Sequence, residues 1–480
     1  NEELKELLLE ETPWLSDAVD ETAQKQRILA LFDENTLTYR LSLCIEKLKE
    51  MQNEQGAWSW YKGMPSNQYM TTQVLELLAR LQAISGGVRN KMELKGIYQK
   101  AFDYLTGEIR KEYEALKKAE KQGEEWQTIS RQAMRYLYIC ALDDSFKPEK
   151  TINDYLISKL ESMSRNMTVY EKSLSAIVLL QNGRKAEAEK FMQSVMEYSV
   201  LTEEMGRYFD TSKAPYSWMS YKIPTEVMAL EASSRLMKDE LVIEQMKRWL
   251  LKQKQTQSWE TSVATADAVY ALLCTGKDAL ANQPSAHIAV GKEILNVSDD
   301  NSIGYLKTEI KGDVMAVKDV TVEKDSDGMA WGAVYAQFLE DMQQVNAQSR
   351  SLAVSRTILK DGKPVSGEAL SVGDRITVRL VVSSDRDMDF VQVKDDRAAC
   401  LEPVNTLSGY HWDNGLGYYR VTKDASTSFF FDRFRKGTHV LEYEAYVTAS
   451  GVYQQGVATV RSVYAPEYGG HSDTMKLKVK

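Results

Sequence analysis

The residues whose side chains could best take part in catalysis are acids and aromatics in or just after three loops. Each loop precedes a helix. Glycoside hydrolysis needs two carboxylates flanking one bond, and aromatic rings stack on sugars. The same acids would also serve as helix caps at the positive end of the helix dipole, and we weigh this structural alternative more heavily. The candidate acids are Glu54, Asp210, Glu226, Glu260 and Asp267, and the candidate aromatics are Trp58, Trp60, Tyr61, Trp218 and Tyr221.

Other kinds of catalytic chemistry find less support in the sequence. The four histidines, His287, His411, His439 and His471, share no metal-ligand spacing, and neither a GxSxG elbow nor a P-loop is present. The four cysteines at positions 44, 140, 274 and 400 form no CxxC motif and are predicted to be small buried hydrophobes. We therefore assign no catalytic residue, no metal site and no cofactor.

Composition limits the partners of the chain. With 480 residues the chain should contain two or three domains, and 43% hydrophobic and 27% charged residues are typical of a folded protein. A net charge of -9 argues against a nucleic-acid partner, since phosphate binding needs a concentrated basic surface. The sequence has no apolar run of the roughly 18 to 20 residues that a membrane-spanning helix requires, so we expect no membrane contact.

The loops that carry these residues belong to a repeated unit of loop and helix. Residues Met51–Ile84 combine a turn rich in Gly, Pro and Trp with a helix whose apolar residues recur at helical spacing. Weaker copies occupy Tyr208–Leu236 and Lys252–Cys274. Helix, aromatic loop and helix, repeated around one core, predict an array of αα-hairpins. Because the copies are irregularly spaced, we favour a closed ring over an open solenoid.

The first 284 residues are predicted to be all-helical, without a strand. After two helices within residues 1–33 and one that leads from Leu37 into the central unit, the predicted helices are Met92–Lys118, Thr128–Leu142, Thr151–Met163, Val169–Leu180, Ala186–Glu197, Thr225–Met237 and Val242–Lys252.

The period changes near Pro284, where apolar and polar residues begin to alternate as they do in strands. HIAVGKEILNV, YLKTEI, MAVKDVTVEK and MAWGAVYAQF form a first group of strand candidates. From Ser351 the eight further candidates are SLAVSRTIL, DRITVRLVVS, MDFVQVKD, GYYRVTK, TSFFFDR, THVLEYEAYVT, GVATVRSVY and MKLKVK. Eight such strands separated by turn residues predict a β-sandwich.

Several long segments of the chain resemble one known family. They are QNEQGAWSWYKG followed by NQYMTTQVLELLARL, LLLEETPWLSDAVDETAQKQRILALFD, DRDMDFVQVKDDRAACLEPVNTLSGYHWDNGLGYYRVTKDAST and SVYAPEYGGHS. The first pair resembles the thioester domain of the alpha-2-macroglobulin and complement family, and the set as a whole is similar to large bacterial alpha-2-macroglobulins. The resemblance covers nearly the whole chain.

The resemblance implies a multidomain α plus β architecture. Residues 1–284 would form the later part of an α/α toroid, residues 285–345 a linking β segment, and residues 346–480 a C-terminal macroglobulin-like antiparallel β-sandwich. It further implies a fragment of a protease trap that encloses target proteases in the periplasm or cell envelope, and it is compatible with a lipid anchor on the full-length protein. A scaffold that binds glycan or protein through its aromatic loops is the remaining alternative.

The chain departs from the family at the thioester. The family motif is a Cys followed by two residues and Gln, and no cysteine here has a Gln at that position. We expect the motif, if the full-length protein has it, to lie before Asn1, and we expect methylamine to add no mass to these residues. The family's closed state docks the last domain on the toroid, which makes Tyr464 and Tyr468 interface candidates, together with Trp58 and Trp60 on the aromatic loops.

Overall fold

The computed structural model describes most of the chain. The described residues are 34–85, 92–124, 128–163, 166–216, 221–259, 261–275, 286–295, 310, 312, 317–324, 332, 334, 341–365, 370–413 and 415–480. The helices expected within residues 1–33 lie outside them, as do Trp218 and Glu260. The strands expected at residues 305–310 and 329–338 fall almost wholly outside as well.

Ten helices follow one another in the first part of the described chain. They are α1 (Glu34–Met51), α2 (Gln68–Ser85), α3 (Met92–Lys121), α4 (Arg131–Leu142), α5 (Lys150–Ser162), α6 (Val169–Gln181), α7 (Lys185–Met196), α8 (Lys222–Leu236), α9 (Glu240–Thr256) and α10 (Ser262–Cys274). Several helix starts are capped by side chains. Thr168 and Glu171 form a reciprocal capping box at α6, and Ser130 accepts a hydrogen bond from the Ala133 N–H at α4.

The even-numbered helices form a closed ring. Each of α2, α4, α6, α8 and α10 packs on the next, and α10 packs back on α2, while α3, α5, α7 and α9 pack on the outside. Among the inner helices, α4, α6 and α8 are buried on most sides. Helix α8, for instance, buries Ile223 and all of the residues from Thr225 to Ser233. A helix that is buried all round occupies the interior of a domain. The prediction of a closed α/α ring is confirmed.

A short hairpin interrupts the helices, so the expectation of an all-helical first part is wrong at this point. Strands β1 (Ser199–Thr202) and β2 (Gly206–Phe209) pair antiparallel and lie against α9. Gly206 has a φ of +77°, and a Cβ there would lie 2.3 Å from the main-chain oxygen of Gln245. The hairpin therefore sits in close contact with the helix. Strands of four residues are too short to show a convincing period of two.

The cysteine prediction is also partly wrong. Cys400 is buried and Cys140 is half-buried, but Cys44 and Cys274 are exposed. Cys274 is the last residue of α10, and α1, which carries Cys44, buries Ile45 alone among its described side chains. Apolar spacing in the sequence did not distinguish a peripheral helix from one in the ring.

The β part begins with a small antiparallel sheet in the order β4, β3, β5, formed by β3 (Ala286–Val290), β4 (Glu293–Leu295) and β5 (Val320–Lys324). These strands fall within the segment predicted to link ring and sandwich. The boundaries at residues 284 and 345 stay predictions, although α10 ends at Cys274 and the next large sheet begins at Gln348.

All eight strands expected after Ser351 are present, with shorter ones between them. They are β6 (Gln348–Arg350), β7 (Leu352–Lys360), β8 (Lys363–Pro364), β9 (Arg375–Ser384), β10 (Met388–Asp396), β11 (Leu401–Pro403), β12 (Gly409–Asp413), β13 (Leu416–Thr422), β14 (Ser426–Phe434), β15 (Gly437–Val447), β16 (Gly451–Gln454), β17 (Ala458–Ser462), β18 (Gly469–His471) and β19 (Lys476–Val479). Along the main path the order is β11, β15, β9, β7, β6, β18, β17, β10, β14, β13, β12, all antiparallel.

The long strands of this sheet enclose one hydrophobic core. Buried residues alternate with exposed ones along β9 and β15, and Phe429 and Phe431 of β14 face them across the core. Such alternation gives each strand one buried face and one solvent-exposed face. The predicted β-sandwich is confirmed. Its core is separate from that of the ring, since the two hydrophobic clusters share no residue.

Candidate functional site at the junction of ring and sandwich

The sandwich touches the ring through residues 385–390, which we call the docking segment. It comprises the connection between β9 and β10 and the first three residues of β10. Arg386 in this segment binds Glu204 in the β1–β2 hairpin with both carboxylate oxygens engaged, at 2.9 Å from Nη1 and 3.0 Å from Nη2. Parallel N–H donors of this kind fit a carboxylate well. The hydrogen bond from Arg386 lowers the pKa of Glu204, so the pair is charged at neutral pH.

Groups of the sandwich itself hold Arg386 in place. Its Nε donates to the Asp385 carboxylate over 2.8 Å, and its guanidinium lies 5.2 Å from the centre of the Tyr468 ring. Contact with Arg386 lowers the pKa of Asp385 as well. The guanidinium is therefore oriented before it meets the ring, which reduces the entropy lost when the contact forms.

A second polar contact joins the docking segment to the loop that precedes α10. The Asp389 carboxylate accepts two hydrogen bonds from Ser258, one from the main-chain N–H at 2.8 Å and one from the hydroxyl at 3.0 Å. Ser258 follows Gln257, which caps the C-terminal end of α9. The sandwich thus sits beside the starts of the inner helices, at the end of the ring that carries the aromatic loops.

Between these contacts lies a cavity of about 200 Å³ shared by ring and sandwich. Its lining contains charged side chains of both signs and the indole of Trp259. The polar lining includes Lys222, Gln253, Trp259, Asp387, Arg433 and Arg435. The indole nitrogen of Trp259 is buried and has no hydrogen-bond partner among the described residues. The junction is therefore polar and incompletely packed, unlike either hydrophobic core.

The interface candidate Tyr464 lies against the docking segment. Its ring meets that of Phe390 edge to face, with ring centres 5.2 Å apart, and 43% of the residue stays exposed. Phe390 has a φ of +55°, a left-handed conformation that is uncommon for an aromatic residue. The main-chain N–H of Val463 donates to the Phe390 carbonyl over 2.9 Å. Tyr464 and the Val463 bond thus support a strained residue at the junction.

The other interface candidates have different environments. Tyr468 is buried beneath Arg386. Trp58 is 2% exposed, and its indole N–H donates to the Leu48 carbonyl over 3.0 Å. It is thus a core residue of the ring. Trp60 is exposed and stacks on Tyr69, with ring centres 5.8 Å apart.

The interior of the ring contains a network of charged side chains. The Arg80 guanidinium of α2 binds the Glu76 carboxylate at 3.0 Å and the Asp267 carboxylate of α10 at 2.5 Å, and Arg135 of α4 binds Glu76 at 2.6 Å. Glu231 of α8 accepts a hydrogen bond from Tyr138 and pairs with Arg235 at 2.7 Å. Three arginines thus face three acids, which satisfies the requirement that buried charges be paired.

The acids proposed for glycoside hydrolysis are therefore dispersed. Asp267 belongs to the buried network, and Glu226 is buried under the hairpin, where it accepts a hydrogen bond from the Phe209 N–H at 2.6 Å. Glu54 is exposed, and Asp210 caps a short 3-10 helix through Ser212. The described acids do not form an open pair at the mouth of the ring. The aromatics Tyr61 and Tyr221 are exposed there.

The histidines have local partners. His411 stacks on Tyr418 with ring centres 5.6 Å apart, His439 Nε2 lies 2.8 Å from the Arg435 carbonyl, and His287 is exposed on β3. His471 Nδ1 lies 3.1 Å from the Ser472 carbonyl. Among the described residues, His, Cys, Asp and Glu form no group of three that could hold a metal ion. No helix in the described part of the chain is long and apolar enough to cross a membrane.

Comparison with known proteins relates the chain to bacterial alpha-2-macroglobulins. Residues 352–467 match the bacterial alpha-2-macroglobulin MG10 domain. A curated alpha-2-macroglobulin homolog from a Nostoc species is 20% identical over 94% of the chain. The chain is therefore similar to bacterial alpha-2-macroglobulins, most specifically through its sandwich. It spans 24% of the length of that Nostoc relative.

Two solved structures of bacterial alpha-2-macroglobulins align with most of the chain. Trypsin-activated alpha-2-macroglobulin from Escherichia coli is 13% identical, with a TM-score of 0.41, over 91% of this chain and 29% of the other. The native Escherichia coli protein from domain MG7 to the C-terminus is 15% identical, with a TM-score of 0.36, over 97% of this chain and 72% of the other.

Proposed function

We propose that this chain supplies the helical ring and the last sandwich of a protease-inhibiting macroglobulin, and that the sandwich undocks from the ring when the inhibitor changes conformation. The observation that carries this proposal is the junction itself. It joins two separate hydrophobic cores through a few polar contacts, with a cavity of about 200 Å³ between them. Polar interfaces of limited extent are typical of domains that move relative to each other.

The energies of the described contacts fit reversible docking. Arg386 and Glu204 form a partly exposed ion pair, which contributes about 0 to 1 kcal/mol once solvent screening is included. The two hydrogen bonds between Asp389 and Ser258 contribute on the order of 1 kcal/mol each. The sum is comparable to the few kcal/mol that separate two populated conformations. A small change in the strain on this junction would therefore release the sandwich from the ring.

The proposal includes target proteases as partners and the periplasm or cell envelope as the location. Similarity to bacterial alpha-2-macroglobulins supports both. An enzymatic role for the ring has less support, because the buried acids of the network are all neutralised by arginines. A scaffold that binds glycan or protein stays as a second candidate, because Trp60, Tyr61 and Tyr221 are exposed at the same end of the ring. Turnover of an oligosaccharide panel would contradict the inhibitor proposal.

The decisive experiment uses the full natural polypeptide that contains this chain, incubated with trypsin at increasing molar ratio. Digestion of a large protein substrate should fall in proportion to the amount of inhibitor, while hydrolysis of a small chromogenic peptide continues. This pattern is expected because an enclosed protease still admits small molecules. Loss of both activities would indicate an inhibitor that blocks the active site, and loss of neither would contradict the proposal.

Charge reversal tests the junction within the same assay. Arg386→Glu should open the junction without protease and so lower the fraction of competent inhibitor, because it places two carboxylates together. Adding Glu204→Arg should restore inhibition, since the pair is re-formed with its signs exchanged. The matched control is Arg379→Glu, because the Arg379–Glu442 pair lies on the sandwich surface away from the ring. Equal losses in the two single variants would remove the junction from the mechanism.

A further inference from the structure

A second pocket lies at one end of the sandwich, between strands β9 and β15 on one side and β13 and β14 on the other. Its volume is about 280 Å³, and it is separate from the junction with the ring. The side chains and main chain that line it are mostly polar and include hydroxyl, amide and guanidinium groups. Its lining includes Thr377, Asn405, Arg420, Thr422, Thr427 and Tyr443.

Arg420 has an unusual environment in this pocket. The residue lies on β13 and is only 9% exposed. Its Nε and Nη2 atoms are buried, and neither has a hydrogen-bond partner among the described residues. A buried charged donor without a partner costs free energy, so folded proteins rarely retain one unless something binds it. Arg420 is therefore placed to bind a group that the described residues do not provide.

Neighbouring arginines in the sandwich show how the chain normally satisfies such groups. Arg356 binds the Asp395 carboxylate at 2.5 Å and two main-chain carbonyls. Arg397 donates to the carbonyls of Lys423 and Asp424 and to the Thr427 hydroxyl. Each of these side chains has acceptors around its Nη atoms. Among the described residues, Arg420 Nε and Nη2 have no acceptor, and the Nε of Arg397 is likewise buried without a described partner.

The unpaired atoms indicate the chemistry of the missing partner. Nε and Nη2 lie on one edge of the guanidinium, and their two N–H bonds point the same way, as the two oxygens of a carboxylate require. Two acids, Glu442 and Glu444, also line the pocket, but they form ion pairs with Arg379 and Arg375. Their charge favours a singly charged ligand over a phosphate dianion.

We propose that this pocket binds a carboxylate group, with the Arg420 Nε and Nη2 atoms donating to its two oxygens. The ligand is a small carboxylate or a peptide that presents one, either at its C-terminus or on an acidic side chain. This site is independent of the proposed protease trapping, since it lies in the sandwich and away from the docking segment. Hydroxyl groups of the lining threonines supply further hydrogen bonds to the bound group.

Nuclear magnetic resonance tests the proposal directly on the 480-residue chain. The Nε–H of Arg420 should shift downfield in a saturable way when sodium acetate or N-acetylglycine is added, because a carboxylate oxygen replaces an unbonded environment. Acetamide has nearly the same shape but no charge and should leave the resonance unchanged. An equal response to acetamide, or no saturable response to either carboxylate, would overturn the proposal.

His411 provides a second reporter. It lies on β12, where it pairs in register with Tyr418, two residues before Arg420 on the next strand. Burial and the charge of Arg420 lower the pKa of His411. A carboxylate bound to Arg420 should therefore raise this pKa towards its ordinary value. Titration of the His411 ring protons with and without N-acetylglycine measures the change, and an unchanged pKa at saturating ligand would contradict binding at Arg420.

Variants and a competing anion complete the test. Arg420→Lys keeps the charge but loses the paired donors, so affinity for N-acetylglycine should fall at least about tenfold. Thr377→Val keeps Arg420 and should weaken binding only a few-fold. Unchanged affinity in Arg420→Lys would overturn the proposal. So would inorganic phosphate that binds as tightly as acetate, because the site would then select charge and not the carboxylate group.

Discussion

The ion pair between Arg80 and Asp267 closes the ring, and its removal gives the sharpest test of the fold. Arg80 lies on α2 and Asp267 on α10, the two helices whose contact completes the cycle. Asp267→Asn preserves the size of the side chain and one acceptor oxygen but removes the charge. The buried Arg80 and Arg135 and the half-buried Arg235 would then face two acids, so the network would hold an unbalanced positive charge.

The magnitude follows from this imbalance. Two unit charges about 4 Å apart interact by about 4 kcal/mol at the effective dielectric constant of 20 that suits protein interiors. Loss of one partner of a buried pair typically costs 3 to 5 kcal/mol. Arg80 keeps its contact with Glu76, and the neutral Asn side chain has no charge that must be desolvated. We therefore expect a loss of stability in the lower part of this range. Asp267→Asn should reduce the free energy of unfolding by about 3 kcal/mol.

Urea unfolding followed by circular dichroism at 222 nm is the appropriate assay, because the described α-helices all belong to the ring and its outer layer. The matched control is Asp154→Asn on α5, whose ion pair with Lys150 is exposed, and this variant should not change the midpoint measurably. If Asp267→Asn behaved like that control, Asp267 would be protonated in the fold, and the balanced network would be refuted.

A double variant separates charge from packing. Arg80→Met with Asp267→Leu removes both charges and leaves Glu76 paired with Arg135. The remaining network is again neutral, so at least half of the lost stability should return. Further loss in the double variant would mean that hydrogen bonds or shape, and not charge balance, stabilise the contact between α2 and α10.

The remaining predictions concern the loops, the hairpin and the junction. Gly56→Ala should lower the free energy of unfolding by about 2 kcal/mol more than Gly63→Ala. Both glycines have a positive φ, but only a Cβ at Gly56 would collide with main chain, 2.3 Å from an oxygen of α3. Equal urea midpoints for the two variants would contradict this. Burial raises the pKa of Glu226 well above 4.5, so this carboxyl ionises in the unfolded chain at a lower pH than in the folded chain. The free energy of unfolding should therefore fall by up to about 1.4 kcal/mol per pH unit above pH 4.5, and Glu226→Gln should remove that slope. Parallel pH profiles of stability for the two proteins would refute this prediction. Arg386→Ala and Glu204→Ala should show a coupling energy of about 1 kcal/mol or less in a double-mutant cycle measured by hydrogen exchange in the β1–β2 hairpin. This coupling energy should vanish in high salt. A coupling energy that persists in high salt would contradict an ion pair screened by solvent.

Local patterns in the sequence predicted the elements well. The helix expected at Val169–Leu180 is observed at Val169–Gln181, and the one expected at Met92–Lys118 extends to Lys121. These segments have strong periodicity, and a capping box or turn residues mark their ends. The helix expected from Thr225 begins at Lys222, because Pro224 occupies its first turn, where the missing N–H has no cost.

The candidate site was less accessible to sequence reasoning. Arg386 and Glu204 are 182 residues apart, and each lies in a polar segment that looks like ordinary solvated surface. The buried network left a clearer trace, since Glu76 and Arg80 are four residues apart on α2, which is otherwise uncharged. Charged residues at helical spacing within a buried stretch predict an internal ion pair. Their partners on α4 and α10 depend on ring closure, which local patterns do not specify.

The two kinds of contact imply an order of events under stress. Ring closure depends on ion pairs that are shielded from salt by burial, whereas the junction depends on a partly exposed pair and two hydrogen bonds to one loop. Local opening takes place first where few buried contacts must break. We therefore expect salt or mild urea to separate the sandwich from the ring while both cores stay folded. Such separation is what a domain that moves during inhibition requires, because the force that undocks it must leave the ring intact.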